Sequence, residues 1–186
     1  GGFLTRQQFG RPFVTLKLAT SLDGAIALEN GESQWITGLP ARAHAHLERA
    51  HHDAILVGGG TWRTDAPRLD VRLAGLEACS PLRVLLSRNE APTGWTVVGD
   101  PSEISTLDGV SWLMVEGGAQ TAAAFLEAGL VDRLLLYRAP ILIGAGRPAL
   151  GDIGLDRLED AHGEWRLVDT RMLGKDRMES YERDVP

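Results

Sequence analysis

The sequence predicts an α/β domain, with a mostly parallel sheet flanked by helices and an antiparallel edge near the C-terminus. Three observations carry this. Short β-rich apolar runs alternate with helix-forming stretches through the first two thirds of the chain, and strands dominate its end. Two of the apolar runs pass straight into glycines, Val57 into Gly58-Gly59-Gly60 and Val115, through Glu116, into Gly117-Gly118. Of the 186 residues, 44 % are hydrophobic and 24 % charged, so the chain has the apolar content to build a core.

The elements follow in order. Residues 1–11 are polar and glycine-rich and read as an N-terminal arm or linker, leaving 12–186 as one domain with no composition shift to divide it. Phe13 to Ala19 is a β-rich run and reads as a strand. Ser21-Leu22-Asp23-Gly24 is a turn, followed by a short return strand over Ala25 to Leu28. Thr37 can cap a helix whose first turn holds Pro40 and whose body is AHAHLERAHH. Further strands are expected over Ala54–Val57, Leu82–Leu86, Trp95–Val98 and Leu113–Val115. Ala119 to Ala128 reads as a helix closed by Gly129, and Arg133–Tyr137, Trp165–Asp169 and Met178–Arg183 as late strands.

Composition also narrows the function. With 19 Lys plus Arg against 25 Asp plus Glu, the net charge is -6, and the absence of dense basic runs argues against a nucleic-acid partner. Cys79 is the sole cysteine, which excludes an intrachain disulfide and a cysteine-based zinc cage. No apolar run approaches the ~20 residues that cross a bilayer, and no signal-peptide layout opens the chain, so no membrane partner and a cytoplasmic location are expected.

The two glycine junctions are where chemistry is expected. Glycine lets backbone approach a phosphate, and the helix that follows presents free N–H groups and the positive end of its dipole. Two such junctions suit the halves of a dinucleotide, although neither has GxGxxG spacing and each also serves as a bare strand-to-helix turn. Lys17 sits between Leu16 and Leu18, in a setting where a lysine either has a partner or faces solvent. Asp65 shares a helix face with Thr61, and Glu116 ends a strand beside two glycines. Arg49, Arg63, Arg68, Arg72 and Arg88 can supply charge for phosphate. His44, His46, His51 and His52 do not converge at metal-ligand spacing, so no metal is expected. No GxSxG elbow, HExxH or Walker motif is present.

These features stand in a longer ordered pattern. Gly10-Arg-Pro-Phe-Val-Thr-Leu-Lys17-Leu-Ala-Thr-Ser-Leu-Asp-Gly24 resembles the start of the reductase domain of the bifunctional riboflavin biosynthesis deaminase/reductase. So, in order, do Asn30-Gly-Glu-Ser33-Gln-Trp35-Ile-Thr37-Gly, Arg49-Ala50, Asp53 to Gly58, Gly60-Thr61, Asp65, Pro67, Leu69 and Arg72. Val115-Glu-Gly-Gly118, Phe125-Leu126, Leu130-Val-Asp132 and Tyr137-Arg-Ala-Pro140 complete the match over nearly the whole chain.

The resemblance implies a dihydrofolate reductase-like fold. It implies NADPH-dependent reduction of 5-amino-6-(5-phosphoribosylamino)uracil, with hydride delivered to C1′ of an open-chain imine. By position it implies substrate contacts at Ser33, Arg49, Leu69, Arg72 and Glu116. It implies NADPH contacts at Ala19, Trp35, Thr61, Asp65, Ser87 and the run Gly118, Ala119, Gln120, Thr121, Ala122, Ala123 and Ala124. Lys17 falls at a site lysine, and Lys17 and Asp65 are the candidates for moving the proton that accompanies the hydride. Arg49 and Arg72 are expected to clamp the 5′-phosphate, with Arg63 or Arg88 facing the 2′-phosphate of NADPH. The resemblance further implies a homodimer.

Two departures stand out. Ala66 occupies a position where the family carries an acidic or amide residue. Residues 89–110 hold Pro92, Pro101 and several glycines or serines where the family has a helix, so that helix is expected to be lost or reduced, weakening one sheet face or altering the adenosine side of the site. No HxE and paired-cysteine signature is present, so the resemblance implies either a reductase part separated from a deaminase domain or a protein that has lost that partner domain. A dihydrofolate reductase-like enzyme with another substrate, or a nucleotide-binding module without turnover, are the other readings of the same residues.

Overall fold

The computed structural model describes residues 1–184. Its first strand, β1 (Phe13–Thr20), lies near the middle of the sheet, because its alternation supplies two buried faces. Val14, Leu16 and Leu18 point to one face and Thr15, Lys17 and Ala19 to the other. β2 (Ala25–Ala27) turns back from it, and α2 (Leu39–Ala50) crosses to β3 (Ala54–Gly58). α3 (Gly59–Asp65) follows without a break, then β4 (Leu82–Leu86), β5 (Thr96–Val98), β6 (Trp112–Val115) and α4 (Ala119–Glu127). β7 (Arg133–Arg138), the two-residue β8 (Arg147–Pro148), β9 (Trp165–Leu173) and β10 (Asp176–Arg183) complete the chain.

Among the described residues the main sheet has eight strands in the order β5-β4-β3-β6-β1-β7-β10-β9, and β2 pairs separately with β8. The first six of that order run parallel; β10 is antiparallel to β7 and β9 to β10, as expected for the C-terminal edge. In register, Leu16 stands opposite Val115 of β6 and Leu134 of β7, and Val115 opposite Leu56 of β3. The carboxyl ends of β1, β3 and β6 therefore emerge side by side.

Each face has its own core. Val14, Leu16, Leu56 and Leu113 pack with Ala122 and Phe125 of α4, and Ile55, Val57 and Met114 pack with Ala41 and Ala45 of α2. Fully burying a side chain of this size contributes about 1.5–3 kcal/mol, so these two layers fix the strand ends beneath both helices.

Three expectations need correction. The N-terminal arm contains a helix, α1 (Gly2–Phe9), ended by Gly10 at φ 68°, a left-handed cap that glycine adopts without penalty. Arg6 ties α1 to the domain by donating from Nη2 to the Leu107 carbonyl at 3.2 Å. Thr37 does not cap α2: the cap is Gly38, and Thr37 is buried. Residues 89–110 lack an α-helix, as expected, but the sheet face is not weakened. Pro101–Thr106 forms a 3-10 helix started by Asp100, whose carboxylate accepts from Ser102 N at 3.0 Å, and Ile104, Leu107 and Val110 fill the core there. No described helix is long and apolar enough to cross a membrane.

Candidate active site

The C-terminal ends of β1, β3 and β6 form the floor of a cleft of about 910 Å³, where open parallel sheets bind ligands. Lys17 and Ala19 enter it from β1, Val57 from β3, and Glu116 and Gly117 from the end of β6. α2 forms one wall through Arg42, His46 and Arg49; residues 33–37 and 65–73 form the rims.

A linked set of charges lies on this floor. Arg49 donates from Nε and Nη2 to the two oxygens of Glu116 at 2.7 and 2.9 Å, and from Nη1 to the Asp70 carbonyl at 3.1 Å. Lys17 Nζ stands 3.6 Å from Glu116 Oε2 and 5.9 Å from the centre of the Tyr137 ring. Burial opposes ionisation of Glu116, but Lys17 and the Arg49 fork outweigh it and hold the carboxyl at about 2. Lys17 thus has the partner that its apolar setting demands. Beneath it, the Tyr137 hydroxyl meets His44 Nδ1 at 2.8 Å. Burial pushes the Tyr137 phenol up and the His44 imidazole down, so both are neutral near pH 7.

The expected pair of phosphate clamps is therefore divided. Arg49 turns its fork into the protein and positions Glu116, rather than presenting it to a ligand. Arg72 remains on the rim, with Nε 3.6 Å from Asp70 Oδ1, beside Arg68, which pairs with Asp70 Oδ2 at 2.7 Å. His46 Nδ1 accepts from the Arg72 backbone N at 3.3 Å. Burial, then Arg49 and Arg72, push its imidazole down, leaving it neutral. Arg42 stacks 4.2 Å over the ring of Trp35, which is exposed on the opposite rim beside Ser33. Leu69 is buried with φ 55°, a backbone state that branched residues rarely adopt, and it turns the 65–73 segment into the cleft.

The glycine junctions serve two purposes. A Cβ at Gly58 or Gly117 would overlap Thr121, so these two glycines let α4 close onto the ends of β3 and β6. Gly60 instead faces open space, and a Cβ at Gly118 would stand 3.6 Å from Thr61 Oγ1. No side chain caps α4 at Gly118, so the first-turn N–H groups at Ala119, Gln120 and Thr121 lack a capping partner. That geometry fits the pyrophosphate of a dinucleotide. The expected run divides here too. Thr121, Ala122 and Ala123 turn their side chains into the core and Ala124 is half-buried, so only Gly118 to Gln120 lie at the open end.

Lys17, Ala19, Ser33, Trp35, Arg49, Thr61, Asp65, Leu69, Arg72 and Glu116 all line the cleft. Ser87 does not; it lies past β4, bonded to Glu90. Asp65, at the end of α3, is exposed. Sequence reasoning gave Arg42, His46 and Asp70 no place in this cleft. The first two carried a signal, because Arg42, His46 and Arg49 fall at i, i+4 and i+7 on one helix stripe. Among the described residues, no group of three or more His, Cys, Asp or Glu is placed to hold a metal ion.

Comparison with known proteins gives a consistent result. The sequence model of the RibD C-terminal domain matches residues 12–108 and 102–178. The riboflavin biosynthesis protein RibD of Mycobacterium tuberculosis (strain H37Rv) is 38 % identical over 188 residues, covering 94 % of this chain and 55 % of that protein. The chain thus spans about half the length of that relative. The crystal structure of a diaminohydroxyphosphoribosylaminopyrimidine deaminase/5-amino-6-(5-phosphoribosylamino)uracil reductase from Thermotoga maritima superposes with a TM-score of 0.82 at 25 % identity, over 98 % of this chain and 59 % of that one. Dihydrofolate reductase from Enterococcus faecalis shares the fold, with a TM-score of 0.67 at 18 % identity over 93 % of this chain and 97 % of that one.

Proposed function

The chain belongs to the RibD C-terminal domain family, and on that premise we propose that it reduces 5-amino-6-(5-phosphoribosylamino)uracil to the ribitylamino product, with NADPH as the donor. The observation that carries this reading is the charge set Arg49–Glu116–Lys17 at the meeting of three strand ends, between a basic rim and an open glycine junction. NADPH supplies the hydride when bound, on the side of Thr61, Gly118, Ala119 and Gln120. The substrate lies across the floor, with its 5′-phosphate toward Arg72, Arg68 and Ser33. The Glu116 carboxylate, kept ionised, accepts hydrogen bonds from the N–H or O–H groups of the pyrimidine or ribityl chain.

As the new C–H bond forms at C1′, the C=N electron pair moves onto nitrogen, which takes one proton. Lys17 Nζ holds that proton at the cleft floor. Asp65, exposed on the rim that carries Arg68 and Arg72, is the route for its replacement from solvent. A homodimer is part of the reading, supported by exposed Leu167, Val168 and Met172 on the edge strand β9; light scattering tests it. Operation beside a deaminase domain and a cytoplasmic location complete it.

An anaerobic assay of nicotinamide absorbance with the phosphoribosylamino-pyrimidine tests the activity. Substrate-dependent oxidation of NADPH to give the ribitylamino product is expected. Binding of NADPH without oxidation overturns it. Near-normal turnover in both Lys17→Ala and Asp65→Ala removes the proton roles.

A further inference from the structure

We infer that Arg42 is a further substrate-binding residue of this cleft, and that the edge of its guanidinium takes the 5′-phosphate together with Arg72. The inference rests on the reduction proposed above and deepens it.

Five cationic side chains line the cleft, and four of them stand beside a carboxylate of the chain itself. Lys17 and Arg49 share Glu116, at 3.6 and 2.7 Å, and Arg68 and Arg72 share Asp70, at 2.7 and 3.6 Å. Arg42 is the fifth, and among the described residues it pairs with no carboxylate. It is nevertheless held at two points. Its guanidinium lies 4.2 Å over the Trp35 ring, and Nη1 donates to the Thr37 carbonyl at 3.2 Å. Stacking occupies the face of a guanidinium and leaves the N–H groups of its edge for a ligand in the same plane. One such group is spent on Thr37, and the rest have no partner among the described residues. A fixed cation without a counter-charge, in a chain of net charge -6, is complemented by an anionic group on the ligand.

Position decides which anion. α2 covers the sheet face opposite α4, and Gly38 ahead of it is bonded to Asp176 of β10, four strands from β3 in the sheet order. Arg42, near the start of α2, is therefore set away from the glycine junctions of β3 and β6. One turn further, about 5.4 Å along the helix axis, His46 Nδ1 accepts the backbone N–H of Arg72 at 3.3 Å. His46 is neutral, because burial and then Arg49 and Arg72 push its imidazole down. Arg42 and Arg72 thus flank an uncharged stretch of the α2 wall, where a phosphate ester meets two guanidinium groups.

Steady-state kinetics with the phosphoribosylamino-pyrimidine, competition by the same compound without its 5′-phosphate, and calorimetry of NADPH are to be run on the wild type, Arg42→Ala and Arg42→Lys, with thermal melting to confirm folding. Arg42→Ala is expected to raise KM for the phosphorylated substrate about tenfold and to change kcat less, with the inhibition constant of the phosphate-free compound kept within about twofold. The NADPH Kd is expected to stay at the wild-type value, and Arg42→Lys to recover part of the loss, since it keeps the charge but not the fork. An unchanged KM in the folded variants overturns the inference. Equal losses for the two pyrimidine compounds overturn it as well, and leave Arg42 the task of shaping the Trp35 rim. A weaker NADPH Kd with KM unchanged overturns it in favour of a cofactor contact. Absence of substrate-dependent NADPH oxidation in the wild type overturns it together with the reading on which it rests.

Discussion

Arg49 on α2 and Glu116 at the end of β6, 67 residues apart, meet in a two-point fork of 2.7 and 2.9 Å that joins a helix wall to the strand ends beneath it. Glu116→Gln leaves Arg49 and Lys17 without a counter-charge on the cleft floor. Breaking a buried pair from one side costs about 3–5 kcal/mol, so a loss of that order is expected in chemical denaturation, along with loss of turnover. Arg49→Lys keeps the charge but not the fork, and its loss should be smaller.

Acid sensitivity follows from the same carboxyl. Its pKa falls on folding, from 4.5 to about 2, because Lys17 and Arg49 overcome the burial that would raise it. The stabilisation is then complete above pH 4.5 and disappears as pH drops toward 2. Denaturation midpoints for the wild type should decline across that window, and those for Glu116→Gln should decline less.

Arg72 and Arg49 should separate kinetically. Arg72→Ala removes a rim charge 57 % exposed to solvent and should raise KM for the phosphorylated substrate about tenfold or more, with kcat nearly kept. Arg49→Ala displaces Glu116 and should lower kcat as well. Equal patterns in steady-state kinetics would contradict the division made here.

The glycines predict opposite outcomes. Gly58→Ala and Gly117→Ala force α4 away through Thr121 and should cost about 1–3 kcal/mol, as overpacking does. Gly60→Ala meets no atom within 4 Å and should keep or gain up to about 0.5–1 kcal/mol, while weakening NADPH binding at the open junction. Melting and calorimetry check both halves.

Ala66 ends α3 with φ 40°, in the left-handed region that asparagine tolerates far better than alanine. Ala66→Asn should stabilise the domain by roughly 0.5–1 kcal/mol, read as a rise of a few degrees in Tm.

Most of the strand ladder was legible because its strands are apolar or β-branched runs ended by a turn residue, as in Leu82–Leu86; β8 was not, being two residues long and half proline. Helix α4 was legible through its apolar spacing and Gly129 (φ 65°). α1 was not, since its stability comes from docking on Trp112 and Leu107, which lie a hundred residues away in sequence. In the site, the position of Arg49 was readable but its direction was not. Which of two candidate anions a guanidinium takes, a ligand's phosphate or the Glu116 carboxylate, is decided by tertiary geometry.

Asp176, in the final strand, is buried and accepts the backbone N–H of Gly38 at 2.7 Å, across 138 residues. The rim that carries Ser33 and Trp35 is thus anchored by a residue synthesised 138 positions after Gly38. During synthesis the glycine junctions can close early, on neighbouring strands, but the rim opposite them has only local contacts, such as Arg42 on Trp35, until β10 arrives. A nascent chain stalled before residue 176 would carry the glycine junctions without the anchor of the opposite rim. The order of translation therefore separates the two halves of the cleft in time as the sheet separates them in space.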